Sequence, residues 1–164
     1  MSNIYEHTQK GKPLFYWGIP LIAIIIVLVP FAVIKTATGK SNSIVLGALL
    51  GGLVLSLLII VPVLLWAGLF LSRLTVWIDS EFVRIRFGFG TWRKKFRLNQ
   101  IQSVTAVRNN WFMGCGIHWI GSGWLYNIAG YDAVELTFQN GKKARIGTDE
   151  PEKLASAIQS ALKN

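Results

Sequence analysis

The chain has 164 residues with 17 Lys and Arg against 8 Asp and Glu, a formal net charge of +9, and yet 52% hydrophobic residues. An evenly mixed soluble globule seldom combines so much charge with so much apolar side chain, and here the two are segregated along the chain. A single cysteine, Cys115, excludes an intramolecular disulfide framework and any multi-cysteine metal site.

Residues 1–13 read as a loose N-terminal tail that carries His7, Lys10 and Lys12. Residues 14–34, LFYWGIPLIAIIIVLVPFAVI, then contain no ionisable charge, and neither do residues 44–71, IVLGALLGGLVLSLLIIVPVLLWAGLFL. About 20 apolar residues in helix cross a hydrocarbon core of roughly 30 Å. The expectation is therefore a hairpin of two transmembrane helices, 14–34 and 44–71, joined by the loop 35–43. A cleaved signal peptide is the competing reading of the first run, but its apolar stretch is too long, and Lys35 lies at the minus-three position to the small residue Ala37.

Cations near membrane ends favour the cytoplasm. The terminal side has Lys10, Lys12, Arg73, Arg84 and Arg86, and the loop only Lys35 and Lys40. The chain is thus expected in the cytoplasmic (inner) membrane with both termini cytoplasmic. Phe15, Tyr16 and Trp17 at one end, and Trp66 and Phe70 at the other, would then share one interfacial belt. Gly47 and Gly51 form a GxxxG whose small face continues through Ala48, Gly52 and Ser56. Such a face serves close packing against the chain's own first helix or a dimer seam. No charge lies inside either helix, which argues against an ion path or proton relay.

From Arg73 onward, short alternating segments separated by turn residues predict antiparallel β structure. LTVWID puts Leu74, Val76 and Ile78 on one face; FVRIRF puts Val83, Ile85 and Phe87 inward and Arg84 and Arg86 outward. WRKKFRL, IQSVTAV, GIHWI, WLYNI, AVELTF and KARIG follow. A three-residue turn at Gln139–Asn140–Gly141 pairs Val134 with Ile146, Leu136 with Ala144, and Glu135 with Arg145. The tail TDEPEKLASAIQSALK predicts a helix over about 150–163, with Asp149 and Glu152 as a capping box and Leu154, Ile158, Ala161 and Leu162 as an apolar stripe. Residues 72–164 are thus expected to form a mainly-β barrel of about seven antiparallel strands in two sheets, capped by a C-terminal α-helix.

Over residues 73–163, and most of all in GWLYN, AVEL and IGTDEPE, the chain resembles the bacterial PH-like domain family, whose members often follow one or two membrane helices. The resemblance implies a PH-type fold, a bent barrel of two sheets with a C-terminal helix. It implies no activity, since fold is not function.

The stretch FGFGTWRKKFR concentrates positive charge. With its hairpin centred on Phe89–Gly90 as a two-residue turn, Phe87 faces Trp92 and Val83 faces Phe96, while Arg86 meets Arg93 and Arg84 meets Lys95, with Arg97 beside them. Like charges across a ladder destabilise it, so Arg84, Arg86, Arg93, Lys95 and Arg97 are candidates to face an external anion. That anion is an anionic phospholipid leaflet or an acidic partner protein. The plain alternative is a solvated face neutralised by Glu135, Asp132 or solvent ions. The order of glycine, aromatic and basic residues does not match an RNA-binding signature, which argues against nucleic acid. Phosphoinositide-binding PH domains resemble one another in a basic motif that Arg73, Arg84 and Arg86 loosely imitate. The acidic first turn, Asp79 and Glu81, argues against a headgroup cradle.

Little else carries chemistry. Cys115 and His118, at odd spacing in a strand, would point to opposite faces, and so would Asp132 and Glu135. The expected role is non-enzymatic, with no metal and no cofactor: an integral membrane protein presenting an interaction or assembly module. Trp111, Phe112 and Met113 form a candidate apolar tip that dips into lipid, docks a protein, or covers a barrel edge. Self-association is a further candidate.

Overall fold

The computed structural model describes residues 4–12, 18, 21, 24, 28 and 43–163. The expected helix 14–34, apart from those four isolated positions, and residues 35–42 of the expected loop 35–43 therefore lie outside the described residues, while Ser43 already belongs to a helix. The chain divides into two units, Pro13–Leu69, and Met1–Lys12 together with Phe70–Asn164.

In the first unit, helix α1 runs over Ser43–Phe70 and contains Pro62. Its segment Leu50–Phe70, 21 residues, is long and apolar enough to cross a membrane. Apolar side chains stand exposed along it, Leu55 at 61%, Leu58 at 67% and Ile59 at 60%, while Leu57, Ile60 and Leu64 are half-buried. A helix that is apolar all round has no water-facing side. A Cβ built on Gly47 or Gly51 meets no heavy atom of the described residues within 4 Å.

The second unit is mainly β. Its strands are β1 (Tyr5–Lys10), β2 (Arg73–Ile78), β3 (Phe82–Phe87), β4 (Trp92–Arg97), β5 (Ile101–Arg108), β6 (Gly116–Trp119), β7 (Gly123–Asn127), β8 (Asp132–Phe138) and β9 (Lys143–Gly147), followed by helix α2 (Pro151–Lys163). One sheet has the order β1-β2-β3-β4 and the other β5-β8-β9-β7-β6. Among the described residues the strands number nine where about seven were expected, and two further expectations about them are corrected. Residues 5–10, read as part of a tail, form a strand antiparallel to β2, with His7 opposite Val76 and Lys10 opposite Arg73. The strands are also not all antiparallel, because β7 and β9 run parallel. Gly123 allows that pair to approach, since a Cβ there would collide with the Lys143 carbonyl.

β1 escaped detection because its inward positions, Tyr5, His7 and Gln9, are largely polar. Gln9 is nonetheless buried, its Nε2 donating to the Ala129 carbonyl at 3.1 Å. Thr8 and Thr75 share a hydroxyl hydrogen bond of 3.0 Å across the pair. The chain leaves β1 and returns into β2 at one place, where the Gly11 amide donates to the Ser72 carbonyl at 2.8 Å.

The later hairpins follow their hydrophobic parity. Val134 pairs with Ile146, Glu135 with Arg145 and Leu136 with Ala144, and Gly141 takes φ 77° in the turn. The β3–β4 connection has the expected register but not the expected turn. It is four residues long, 88–91, with Gly88 at φ 55° and Gly90 at φ 108°. Lengthening a turn by one residue on each strand leaves every cross-strand pair unchanged.

Leu74, Val76, Ile78, Val83, Ile85 and Phe87 of one sheet meet Val134, Leu136 and Ile146 of the other in a shared core. Aromatic rings join them in series: Phe70 stacks on Phe87 at 5.0 Å, Phe87 meets Trp92 at 5.5 Å, and Trp92 meets Tyr126 at 5.3 Å. Helix α2 buries Leu154, Ala155, Ile158 and Ala161 against β5 and β8 and reaches β2. Its start differs from the expected capping box. Glu150 is the residue before the helix, its amide donates to Thr148 Oγ1 at 3.1 Å, and Asp149 instead takes His7 Nε2 at 2.6 Å.

A basic face as candidate functional site

The alternation of β1 to β4 sends one set of side chains into the core and the other to the outer face. Register aligns Trp77, Arg84 and Lys95 in one row and Thr75, Arg86 and Arg93 in the next, with Arg97 opposite Phe82. The five sequence-singled cations, Arg84, Arg86, Arg93, Lys95 and Arg97, are thus brought together. β1 and the start of β2 add Lys10 and Arg73, which sit opposite each other. The strand that carries Lys10 was missed, so this extension was not foreseen.

The cations are not equivalent. Asp79 directly follows β2 and is buried; its Oδ1 accepts the amides of Glu81 at 2.9 Å and Phe82 at 2.7 Å, and its Oδ2 accepts Arg84 Nε at 2.6 Å. Burial pushes the Asp79 carboxyl up, but the two amides and the Arg84 guanidinium outweigh it and hold the carboxyl below its usual range. Arg84 therefore has a carboxylate of its own, supplied by the turn that precedes the hairpin. The acidic turn thus borders the basic face at Arg84.

Aromatic rings carry several of the remaining charges. Phe82 lies under both Arg84 and Lys95 at 4.9 Å, Trp77 under Arg86 at 5.7 Å, and Phe89 under Arg73 at 4.0 Å. Arg86 stands opposite Arg93, and its Nε is buried with no acceptor among the described residues. Neither Glu135 nor Asp132 neutralises this face. Glu135 belongs to the other sheet, where Lys143 Nζ donates to it at 2.6 Å and Arg145 Nε at 2.7 Å, and Asp132 lies 3.9 Å from Arg108. Burial pushes the Glu135 carboxyl up, but those two cations prevail and hold it below its usual range.

The other singled-out residues lie elsewhere. Trp111, Phe112 and Met113 form a 3-10 turn, and the Trp111 side chain lies outside the described residues. Phe112 is 76% exposed, whereas Met113 folds back so that its Sδ takes Arg145 Nη1 at 3.8 Å. The Cys115–His118 parity reading fails, because Cys115 precedes β6 and both residues line one hollow of about 410 Å³. Burial, against a smaller downward pull from Lys12, pushes the Cys115 thiol up. Among the described residues no cluster of three or more His, Cys, Asp or Glu is placed to hold a metal.

No family model matches the chain, and no curated protein matches it.

Proposed function

We propose that this chain is a non-enzymatic, membrane-anchored binding module: a two-helix hairpin in the cytoplasmic membrane carrying a PH-like β unit whose basic face binds anionic phospholipid headgroups. The pairing of β1 with β2 supports the hairpin. The Gly11–Ser72 hydrogen bond means that the chain leaves the β unit and returns to it at one point. If Leu50–Phe70 crosses a bilayer, the chain must cross an even number of times to return to the same side. The uncharged run 14–34 is long enough for the second crossing. Two sheets closed by an amphipathic C-terminal helix support the PH-like reading, with β1 and the parallel β7–β9 pair as departures from the expected strand set.

The observation that carries the function is the Arg86–Arg93 cross-strand pair, two cations opposed with no ion-paired carboxylate among the described residues. A ladder that opposes like charges is destabilised by about 0.2–1 kcal/mol, and bridging phosphates reverse that sign. Arg73 follows the last residue of α1 by only three positions, so the charge lies close along the chain to the membrane segment.

The test holds the full chain in nanodiscs of uncharged phosphatidylcholine and measures its capture of vesicles with and without phosphatidylglycerol. Each cation is worth about 1 kcal/mol at an anionic surface, so the double variant Arg86→Glu/Arg93→Glu should lose capture by well over tenfold. Capture that ignores phosphatidylglycerol, or survives that variant, refutes the proposal.

A further inference from the structure

A second surface lies between the edge strand β4 and the β8–β9 hairpin, where the two sheets part. They leave a cleft of about 520 Å³ whose lining combines the rings of Phe96, Tyr126 and Phe138 with the cations Lys94, Lys95, Lys142 and Lys143. That volume is in the range of ligand sites. Phe96 holds Tyr126 at 5.8 Å and Phe138 at 5.7 Å, so the aromatic part of the lining is a set of mutually braced rings.

Two features decide what fits. β4 is the last strand of its sheet and is bonded to β3 alone, so its other row of amides and carbonyls faces the cleft. Lys94 is opposite Ile85, on the inward side of β4, yet it remains exposed because the sheets open there. An inward lysine on an edge strand repels a second copy of the same edge. It equally requires a negative charge from any strand that does pair. Lys143 already holds Glu135 at 2.6 Å. Among the described residues no carboxylate forms an ion pair with Lys94 or Lys142.

We propose that this cleft docks an extended acidic segment of a partner protein. The segment adds to the edge of β4 through its backbone, sets carboxylates against Lys94 and Lys142, and lays an apolar side chain on Phe96 and Tyr126. A lipid phosphate or a small anion offers no backbone to the strand edge. The anionic-lipid proposal concerns the outer face of the same sheet; Lys95 borders both surfaces, so the test rests on Lys94 and Lys142, which only the cleft includes.

The experiment uses the full chain in phosphatidylcholine nanodiscs and fluorescence anisotropy of a short labelled peptide alternating glutamate and valine. The control peptide has glutamine in place of glutamate. The acidic peptide should saturate, and Lys94→Glu and Lys142→Glu should each weaken it by about fivefold or more, the effect of losing one ion pair and adding a repulsion. Lys163→Glu, the same charge change on α2, should shift binding by less than about twofold. Should Lys94→Glu melt early, Lys94→Gln carries the comparison with a smaller loss. Equal binding of the glutamine peptide, equal effects at Lys163 and Lys94, or displacement of the peptide by a soluble short-chain phosphatidylglycerol would each overturn the assignment.

Discussion

The Gly11 amide donates to the Ser72 carbonyl across 2.8 Å, tying the residue after β1 to the residue before β2. There is no room for a side chain at this junction, because a Cβ on Gly11 would run into the Leu71 carbonyl. Gly11→Val should therefore spread the two strands and cost about 1–3 kcal/mol, as overpacking does. Hydrogen exchange is the measurement, and faster exchange at β1 and β2 with β8 and β9 unchanged is the expected result.

The same junction makes residues 13–69 replaceable. A chain in which a short Gly/Ser linker joins Lys12 to Phe70 should be water-soluble and melt cooperatively. A fragment starting at Arg73 lacks β1 and with it the Gln9–Ala129 and His7–Asp149 bonds. It should melt at a lower temperature, and equal melting temperatures would show that β1 is dispensable.

Charge on the basic face should trade stability against binding. Arg93→Glu replaces the repulsion opposite Arg86 by an attraction, so it should raise hairpin stability by a few tenths to about 1 kcal/mol. Capture of phosphatidylglycerol vesicles should fall about fivefold or more. A variant that loses both would indicate misfolding, which thermal melts would reveal.

Acid should destabilise the β unit through Asp79 and Glu135. Both carboxyls titrate below their ordinary values of 3.8 and 4.5 in the folded chain. Their contribution is thus complete above those values and is lost as pH falls through the lowered ones. Asp79→Asn should cost about 2 kcal/mol near neutrality, the worth of hydrogen bonds to a charged group. Its denaturation midpoint should also fall less than that of the parent chain on going below pH 4.

Alkali should act on β1. Burial, with Glu150 and Asp149 adding to it, raises the Tyr5 hydroxyl from 10.0 to about 12. The raised value means that the neutral phenol's contribution is complete below pH 10 and is lost as pH rises toward 12. Tyr5→Phe should flatten that alkaline loss and change little at pH 7, because the hydroxyl has no hydrogen-bond partner among the described residues. Burial also raises Tyr126, so a residual alkaline loss should persist.

By itself the sequence determined whatever depends on local period and parity. The uncharged length of 44–71 determined a helix apolar enough to span a bilayer, and the turn at Asn140–Gly141 determined that Glu135 faces Arg145. Alternation put Arg84, Arg86, Arg93, Lys95 and Arg97 on one side of a hairpin, even though its turn proved longer than expected. Only the tertiary structure decided the rest, because each remaining feature joins segments with no shared local pattern. β1 carries too few apolar residues to announce itself and becomes a strand only when β2 supplies its hydrogen bonds. Asp149 pairs with His7 because β1 brings that residue beside it, and the parallel β7–β9 pair can approach because Gly123 lets two backbones touch. Long-range pairing is set by which edges meet once the core has collapsed, and that choice is not written in any one segment.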